Sequence, residues 1–131
     1  MNNGRCKCGQ VRYVIDGPIR KVVNCHCTIC RTMNGGAYST YVVIMGKDLT
    51  IRAGHESLGA YNVVGTAIKR FCVECGTPLY NLNPDRYPGA AMIYLGTLND
   101  HKELIPEVNI YRENQLPWVD MIGMRRIWLE E

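Results

Sequence analysis

Long apolar stretches are missing from this sequence, which has one phenylalanine and two tryptophans among its 131 residues. A membrane-spanning helix needs about 18–20 consecutive apolar residues, and no segment of the chain approaches that length. The start of the chain also lacks the apolar core of a signal peptide and leads directly into the first cysteines. These absences predict a cytoplasmic protein that does not act at a membrane.

Dense clusters of one charge are equally absent, since 15 basic and 12 acidic residues give a net charge of only +3. The densest basic pair, Arg125-Arg126, is typical of a solvated edge. If the cysteines held two Zn²⁺ ions as thiolates, the net charge would fall to zero. The composition therefore gives no reason to expect nucleic acid as a partner.

A sustained helical period is also missing, whereas short segments of alternating polar and apolar residues follow one another along the chain. Eight tyrosines and 13 glycines favour β-strands joined by tight turns. We predict a single domain over 1–131 that is mainly β, with at most one or two short helices, including a helical turn at 31–34. The predicted strands cover 10–16, 19–24, 37–45, 49–52, 60–64, 67–72, 79–82, 90–95 and 107–111.

Seven cysteines are present, in three groups along the chain: Cys6/Cys8, Cys25/Cys27/Cys30 and Cys72/Cys75. An odd number would leave one thiol over in a complete disulfide framework, so a reducing compartment and metal-bound thiolates fit better. Zinc binds cysteine thiolates tetrahedrally, and closely spaced cysteines in tight turns are its usual sequence pattern. The sequence therefore predicts Zn²⁺ as the cofactor.

The numbers of cysteines predict two different zinc sites. The two outer pairs together supply the four sulfurs of a closed, structural site, made of Cys6, Cys8, Cys72 and Cys75. The central group supplies three sulfurs and leaves a fourth position open to water or substrate, which is the pattern of a catalytic zinc. We predict the catalytic group to be Cys25, Cys27 and Cys30.

Two other interpretations of the central group remain open. A protein side chain could complete it as a second structural site, the candidates being His55, His101 and Asp48. A redox pair at Cys27 and Cys30 fits less well, because the βαβ pattern expected beside such a pair is missing. His26 stands between two of the cysteines and is expected to point away from the metal.

Other polar and aromatic side chains are weaker candidates for the site. Arg31 and Arg70 could meet substrate carboxylates, offset thiolate charge, or lie on ordinary surface. The aromatic candidates for the core or the pocket rim are Tyr38, Tyr41, Tyr94 and Trp118. The sequence has neither the residue pattern of a hydrolase triad nor a glycine-rich phosphate loop.

The cysteine motifs and several later segments resemble one known family. The motifs are Cys6-Lys7-Cys8-Gly9, the run from Cys25 to Arg31, and the run from Arg70 to Leu79 that contains Cys72 and Cys75. The later segments are 95–98, Pro106, Ile110-Tyr111 and Pro117-Trp118. From Gly4 to Trp118 the chain resembles the glutathione-dependent formaldehyde-activating enzyme family, which centromere protein V-like proteins also share.

This resemblance implies a β-tent of packed antiparallel sheets with zinc knuckles. It also implies a structural zinc on the two outer cysteine pairs and a second zinc on the central group. The implied activity is the addition of a thiol such as glutathione to formaldehyde or a related small aldehyde, which is a carbon–sulfur lyase reaction. The partners would be a small-molecule thiol and an aldehyde.

Two segments depart from the family pattern. Asn109-Ile110 stands where the family commonly has His-Ile, and 34–38 reads Asn-Gly-Gly-Ala-Tyr in place of small-Gly-x-Pro-Phe. The alternative to an enzyme is a non-enzymatic, zinc-stabilised β-tent binding module, which would need only the four outer cysteines. A methionine-sulfoxide-reductase-like activity would need a free nucleophilic cysteine, and two zinc sites would leave none.

Overall fold

The computed structural model describes residues 1–124, so the predicted solvated pair Arg125-Arg126 lies outside the described residues. The fold is mainly β, as predicted, with one α-helix and several short 3-10 turns. In residues 1–124, no helix has the length and apolar character that crossing a membrane requires. The elements are β1 (Asn2–Arg5), β2 (Arg12–Ile15), β3 (Lys21–Cys25), α1 (Thr28–Asn34), β4 (Ser39–Met45), β5 (Leu49–Ala53), β6 (Leu58–Val64), β7 (Ala67–Cys72), β8 (Pro78–Leu82), β9 (Ala90–Tyr94) and β10 (Val108–Ile110).

The strands form two packed sheets. The small sheet has the order β1-β2-β5, and the large, seven-stranded sheet has the order β10-β3-β4-β9-β8-β7-β6. Neighbouring strands are antiparallel except for β10, which pairs in parallel with β3. A parallel pair needs a long connection, and here the chain forms five other strands of the large sheet and one strand of the small sheet, β5, between β3 and β10. This pairing places Ile110 opposite Cys25.

The two faces of the large sheet have different uses, because successive side chains along a strand point to opposite sides. One face carries the main core, in which Val42 and Ile44 of β4 are fully buried. Tyr13 and Ile15 of the small sheet pack into the same core. A second buried cluster lies on the other face and contains the strand residues Val23, Cys25, Tyr41 and Tyr94, together with Cys30 of α1. The large sheet thus separates the structural core from the central cysteines.

Two elements differ from the sequence prediction. Strand β1 is missing from it, because the segment before Cys6 has no alternating apolar pattern. The helix begins at Thr28, three residues before the predicted turn, since Cys27 caps it and accepts the Cys30 amide at 3.2 Å. It ends at Gly35, whose φ of 74° is a left-handed conformation that glycine adopts readily.

Candidate metal centres

The junction of β3 and α1 brings the central cysteines together. Cys25 is the last residue of β3, Cys27 caps the helix, and Cys30 lies in its first turn. The chain turns sharply between strand and helix, so closely spaced residues place their sulfurs near one point. Cys25 and Cys30 are buried and Cys27 is half-buried.

The geometry of these three sulfurs suits a metal ion. They lie within 4.8 Å of one another, and Cys25 Sγ and Cys30 Sγ are 3.5 Å apart. A disulfide would require about 2 Å, whereas thiolates around a tetrahedral ion lie about 3.8 Å apart. All three thiols are free, so the cluster could hold a metal. No His, Asp or Glu among residues 1–124 joins the cluster. The fourth ligands suggested from the sequence, His55, His101 and Asp48, therefore lie outside it.

Hydrogen bonding and burial shift the pKa values of these three thiols in different directions. The hydrogen bond from Cys30 lowers the pKa of Cys25, and the same bond, together with burial, raises the pKa of Cys30. Burial raises the pKa of Cys27. The three thiols do not ionise together by themselves, because like charges oppose one another in a buried site. A bound cation removes that conflict, so the donor set favours a metal.

Polar side chains on neighbouring strands support Cys30. Tyr41 Oη lies 3.2 Å from Cys30 Sγ and accepts a hydrogen bond of 3.1 Å from Asn81 Nδ2. Burial raises the pKa of Tyr41, so its hydroxyl stays protonated and is available to donate to the sulfur. Tyr94 Oη lies 3.4 Å from the Tyr41 hydroxyl. Cys30 therefore faces neutral hydrogen-bonding groups on its protein side.

Asn34 and Lys69 extend this network, and neither stands out in the sequence. Tyr94 donates to Asn34 Oδ1 at 3.3 Å, and Lys69 Nζ donates to the same oxygen at 3.0 Å. Lys69 also donates to the Met33 carbonyl at 3.2 Å, so it ties β7 to the end of α1. Burial lowers the pKa of Lys69. Asn34 and Lys69 are 35 positions apart, so no local motif links them.

The central cysteines line a cavity of about 700 Å³. This volume is in the range that accommodates a small organic ligand. Tyr41 borders the cavity as well, together with Asn81 of the network. Most of the remaining wall is hydrocarbon from several strands of the large sheet, including Val43, Ile68, Leu82, Met92 and Ile110. The cluster thus opens on a largely apolar space.

His26 lies between two of the cysteines and takes no part in their cluster. It is fully buried, with its ring packed against Tyr38 at a centroid distance of 5.0 Å. Its Nε2 lies 2.9 Å from Asn109 Oδ1, while its Nδ1 has no hydrogen-bond partner within the described residues. Asn109, one of the departures from the family pattern, therefore partners His26 and does not line the cavity.

The two arginines singled out from the sequence bind backbone instead of lining the cavity. Arg31 Nη1 donates to the carbonyls of His26, at 2.9 Å, and Asn114. Arg70 Nε donates to the Gly59 carbonyl at 3.1 Å. Among residues 1–124, the cations that line the cavity are Arg20, Lys21 and Arg86. No sequence motif indicated them, because they are remote from the cysteine motifs or unremarkable beside them. Of the aromatic candidates, Trp118 is 46% exposed and also lies outside the cavity lining.

The outer cysteines meet where two turns approach each other. Cys6 and Cys72 are fully buried, and Cys8 and Cys75 are exposed. The four sulfurs lie within 4.8 Å of one another, with Cys8 Sγ at 3.6 Å from Cys6 Sγ and 3.8 Å from Cys72 Sγ. These separations match a tetrahedral arrangement of thiolates. This cluster could hold a metal ion with a complete shell.

The backbone of both turns is arranged for this contact. Gly9 and Gly76 follow the cysteine pairs with φ of 81° and 79°, a conformation that glycine adopts without strain. The Lys7 amide donates to Thr77 Oγ1 at 3.1 Å and joins the two turns. The Thr77 hydroxyl also lowers the pKa of Cys75 to about 5. This hydrogen bond favours the thiolate form of Cys75, which is the form in which a cysteine binds a metal.

Comparisons with known proteins identify a similar fold and a family. A crystal structure of a Rhodobacter sphaeroides protein from a structural genomics programme is similar to this chain, with a TM-score of 0.64 and 22% sequence identity. The similarity covers 82% of this chain and 98% of that one, and it shows a shared fold. The comparison with curated proteins found no match. The family profile described as glutathione-dependent formaldehyde-activating enzyme matches residues 1–114. The chain belongs to the glutathione-dependent formaldehyde-activating enzyme family.

Proposed function

We propose that this protein is a zinc-dependent enzyme of the carbon–sulfur lyase type, which adds a small thiol to formaldehyde or a related small aldehyde. The observation that carries the proposal is the position of Cys25, Cys27 and Cys30, whose free sulfurs lie at metal-binding separations and line a cavity. Family membership supports the reaction class. A zinc-stabilised binding module would need only the outer cluster and would have no use for a second one beside a cavity.

The two clusters would hold zinc for different purposes. The outer cluster closes the metal's shell with four sulfurs and would serve stability alone. The central cluster, with Cys25, Cys27 and Cys30, would leave one position for a substrate. These three thiolates would hold the ion, and a thiol bound in the fourth position would have a lowered pKa and stay nucleophilic at neutral pH.

The protein's own residues would hold the reacting groups in place. Tyr41 Oη lies 3.2 Å from the Cys30 sulfur and would donate to it once Cys30 is a metal-bound thiolate, and such bonds fix the orientation of a metal ligand. Asn81 holds the Tyr41 hydroxyl in turn. Apolar side chains such as Met92 and Ile110 keep water away from the aldehyde, which would otherwise be hydrated.

The proposed reaction balances without an oxidant or a reductant. One carbon–sulfur bond forms between the thiol sulfur and the carbonyl carbon, and the carbonyl π bond becomes a carbon–oxygen single bond. The thiol proton ends on the former carbonyl oxygen, so the product is a hydroxymethyl thioether. The cytoplasm suits this chemistry because thiols stay reduced there, and all seven cysteines of the chain are free.

Metal analysis combined with carbon-13 exchange spectroscopy tests the function. We expect two zinc ions per chain in the wild type and one in Cys27→Ser. Exchange between free and thiol-bound formaldehyde should exceed the protein-free rate with the wild type and not with Cys27→Ser, in a panel of small thiols that includes glutathione. Thr28→Ser is the matched control, because Thr28 is exposed and adjacent to Cys27. A Cys27→Ser protein as active as the wild type would contradict the proposal.

A further inference from the structure

The cavity beside the central cysteines is lined by basic side chains. Among the described residues, its lining has no acidic side chain other than the cysteine thiols. Its lining includes Arg20, Lys21 and Arg86, and it contains no aspartate or glutamate of residues 1–124. All three basic side chains are exposed, which places them at the rim. The remaining wall is mainly hydrocarbon. Such a lining favours an anion at the rim with an apolar group inside.

Arg86 is the cation with the most defined environment. Its guanidinium carbon lies 5.2 Å from the ring centroid of Tyr111 and 5.7 Å from that of Tyr87, within the range of cation–π attraction. In the described part of the chain it forms no ion pair; the ion pair found there joins Arg112 to Asp120. A guanidinium steadied by two rings suits a two-oxygen contact with a carboxylate or phosphate.

Tyr111 connects this cation to the cysteine cluster. It follows Ile110, which lies opposite Cys25 in the parallel pair, and it lines the same cavity. Its φ of 56° is a left-handed conformation that costs a non-glycine residue free energy. The chain thus keeps a strained turn at the residue whose ring reaches Arg86. The cationic rim and the cysteine cluster border one continuous cavity.

Glutathione matches this wall poorly. It carries two carboxylates, an ammonium group and two peptide groups, several of which would face hydrocarbon such as Val43, Ile68 and Met92. Burying polar groups without hydrogen-bond partners opposes binding. Formaldehyde, at the other extreme, would fill a small part of a cavity of about 700 Å³. The space fits a ligand that is larger than formaldehyde and less polar than glutathione.

We propose that the thiol substrate is an amphipathic anion, with a hydrocarbon body against the apolar wall and one carboxylate or phosphate group paired with Arg86. Its thiol end reaches the central cysteines, and this part alone rests on the function proposed above. The anion and the hydrocarbon are recognised by side chains that belong to neither metal cluster.

Calorimetric titration of the zinc-loaded, full-length protein with ligands that lack a thiol tests the binding mode. We expect octanoate or octyl phosphate to bind at least about tenfold more tightly than octanol, and their order shows which oxyanion the site prefers. Binding should tighten about fourfold for each added methylene from hexanoate to decanoate. Octanol binding as tightly as both anions, or affinity independent of chain length, would overturn the proposal.

Variants assign the anion contact to Arg86. Arg86→Met should weaken octanoate binding about tenfold, while Arg52→Met, an equal charge change at an exposed position of β5, should leave it unchanged. Cys27→Ser should still bind octanoate, since the carboxylate meets Arg86 and not the metal. Equal affinities in Arg86→Met and the wild type, or binding lost in Cys27→Ser, would refute the assignment.

These ligands also keep the two proposals separate. Octanoate has no thiol, so its binding does not depend on any carbon–sulfur chemistry at the cysteines. If octanoate binds at Arg86 and no thiol accelerates formaldehyde exchange, the proposed function fails and the anion site stands. If the proposed function and the anion site are both correct, 8-mercaptooctanoate should support faster formaldehyde exchange than glutathione. A faster rate with glutathione would contradict the proposed substrate class.

Discussion

Cys30 depends on residues that share neither its helix nor its motif. Tyr41 on β4 places its hydroxyl 3.2 Å from the Cys30 sulfur, and Asn81 on β8 holds that hydroxyl. A hydrogen-bond donor beside a thiolate stabilises its charge and fixes the direction of the sulfur lone pairs. Tyr41 is therefore a positioning residue for a predicted metal ligand.

Tyr41→Phe removes this hydroxyl and keeps the ring. We expect metal affinity at the central cluster to fall about tenfold, because partners of metal ligands typically contribute that much. Competition with a chromophoric chelator measures the affinity, and Tyr61→Phe, on β6 with a side chain 57% exposed, is the matched control. Equal affinities for Tyr41→Phe and the wild type would show that the hydroxyl does not support Cys30.

Tyr13 makes stability depend on alkaline pH. Its ring is buried in the main core, its hydroxyl lies 2.7 Å from Thr97 Oγ1, and burial raises the pKa of Tyr13 to about 12. The neutral phenol is favoured in the folded protein, so its contribution is complete below the unfolded pKa of about 10. This contribution to the free energy of unfolding, about 3 kcal/mol in all, is lost as the pH rises from about 10 to about 12.

Urea unfolding at pH 8 and pH 11 tests this dependence. The wild type should lose free energy of unfolding between these pH values, and Tyr13→Phe should lose distinctly less, although it starts about 1 kcal/mol lower without the Thr97 hydrogen bond. Tyr61→Phe serves as the control, because Tyr61 is exposed and lies outside the core. A parallel decline in Tyr13→Phe and the wild type would contradict the prediction.

Among the elements, those with an alternating apolar pattern were predictable. The predicted strands at 37–45 and 67–72 correspond to β4 and β7, since their side chains bury on one or both faces. Strand β1 reads Asn-Asn-Gly-Arg and is a strand because it pairs with β2, from Asn2 opposite Ile15 to Arg5 opposite Arg12. Its conformation follows from its partner and not from its own residues.

Gly54 joins the small sheet to the turn of the outer cysteines. Its φ is 84°, and a Cβ there would overlap the backbone of Gln10 and Val11, whose amide lies against the Cys6 sulfur at 3.3 Å. We expect Gly54→Ala to lower the free energy of unfolding by about 3 kcal/mol, from backbone strain together with this overlap.

Gly65→Ala is the control for the strain alone. Gly65 has a φ of 57° and nothing within 4 Å of an added Cβ, so its replacement should cost about 1 kcal/mol. Thermal or urea unfolding of both variants gives the comparison. Equal losses in the two variants would show that the contact between Gly54 and the first cysteine turn has no energetic weight.

For the whole molecule, the large sheet places the two cysteine clusters under different constraints. The outer cluster links turns that are 64 positions apart between Cys8 and Cys72 and includes two fully buried sulfurs. The central cluster lies beside a cavity, within a short segment that β3 and α1 already fix. We therefore expect the protein to unfold when the outer cluster loses its metal, and to stay folded when the central cluster loses its metal.

Cys72→Ser and Cys27→Ser compare the two clusters directly. A structural zinc contributes on the order of 10 kcal/mol, similar to the whole stability of a small domain, so Cys72→Ser should be insoluble or unfolded. Cys27→Ser should melt within a few degrees of the wild type by circular dichroism. A soluble Cys72→Ser protein with a normal melting curve would show that the outer cluster is not needed for stability.

The sequence alone determined the β character, the family and the division of seven cysteines into four and three. These features are local, because ligands a few positions apart in a turn and alternation along a strand are set by short-range backbone geometry. That 1–131 forms one domain stays a prediction. Only the tertiary structure decided that His55, His101 and Asp48 stay outside the central cluster. It also placed Tyr41, Lys69 and Arg86 around Cys30 and the cavity, because those positions depend on strand register and on a parallel pairing between distant segments.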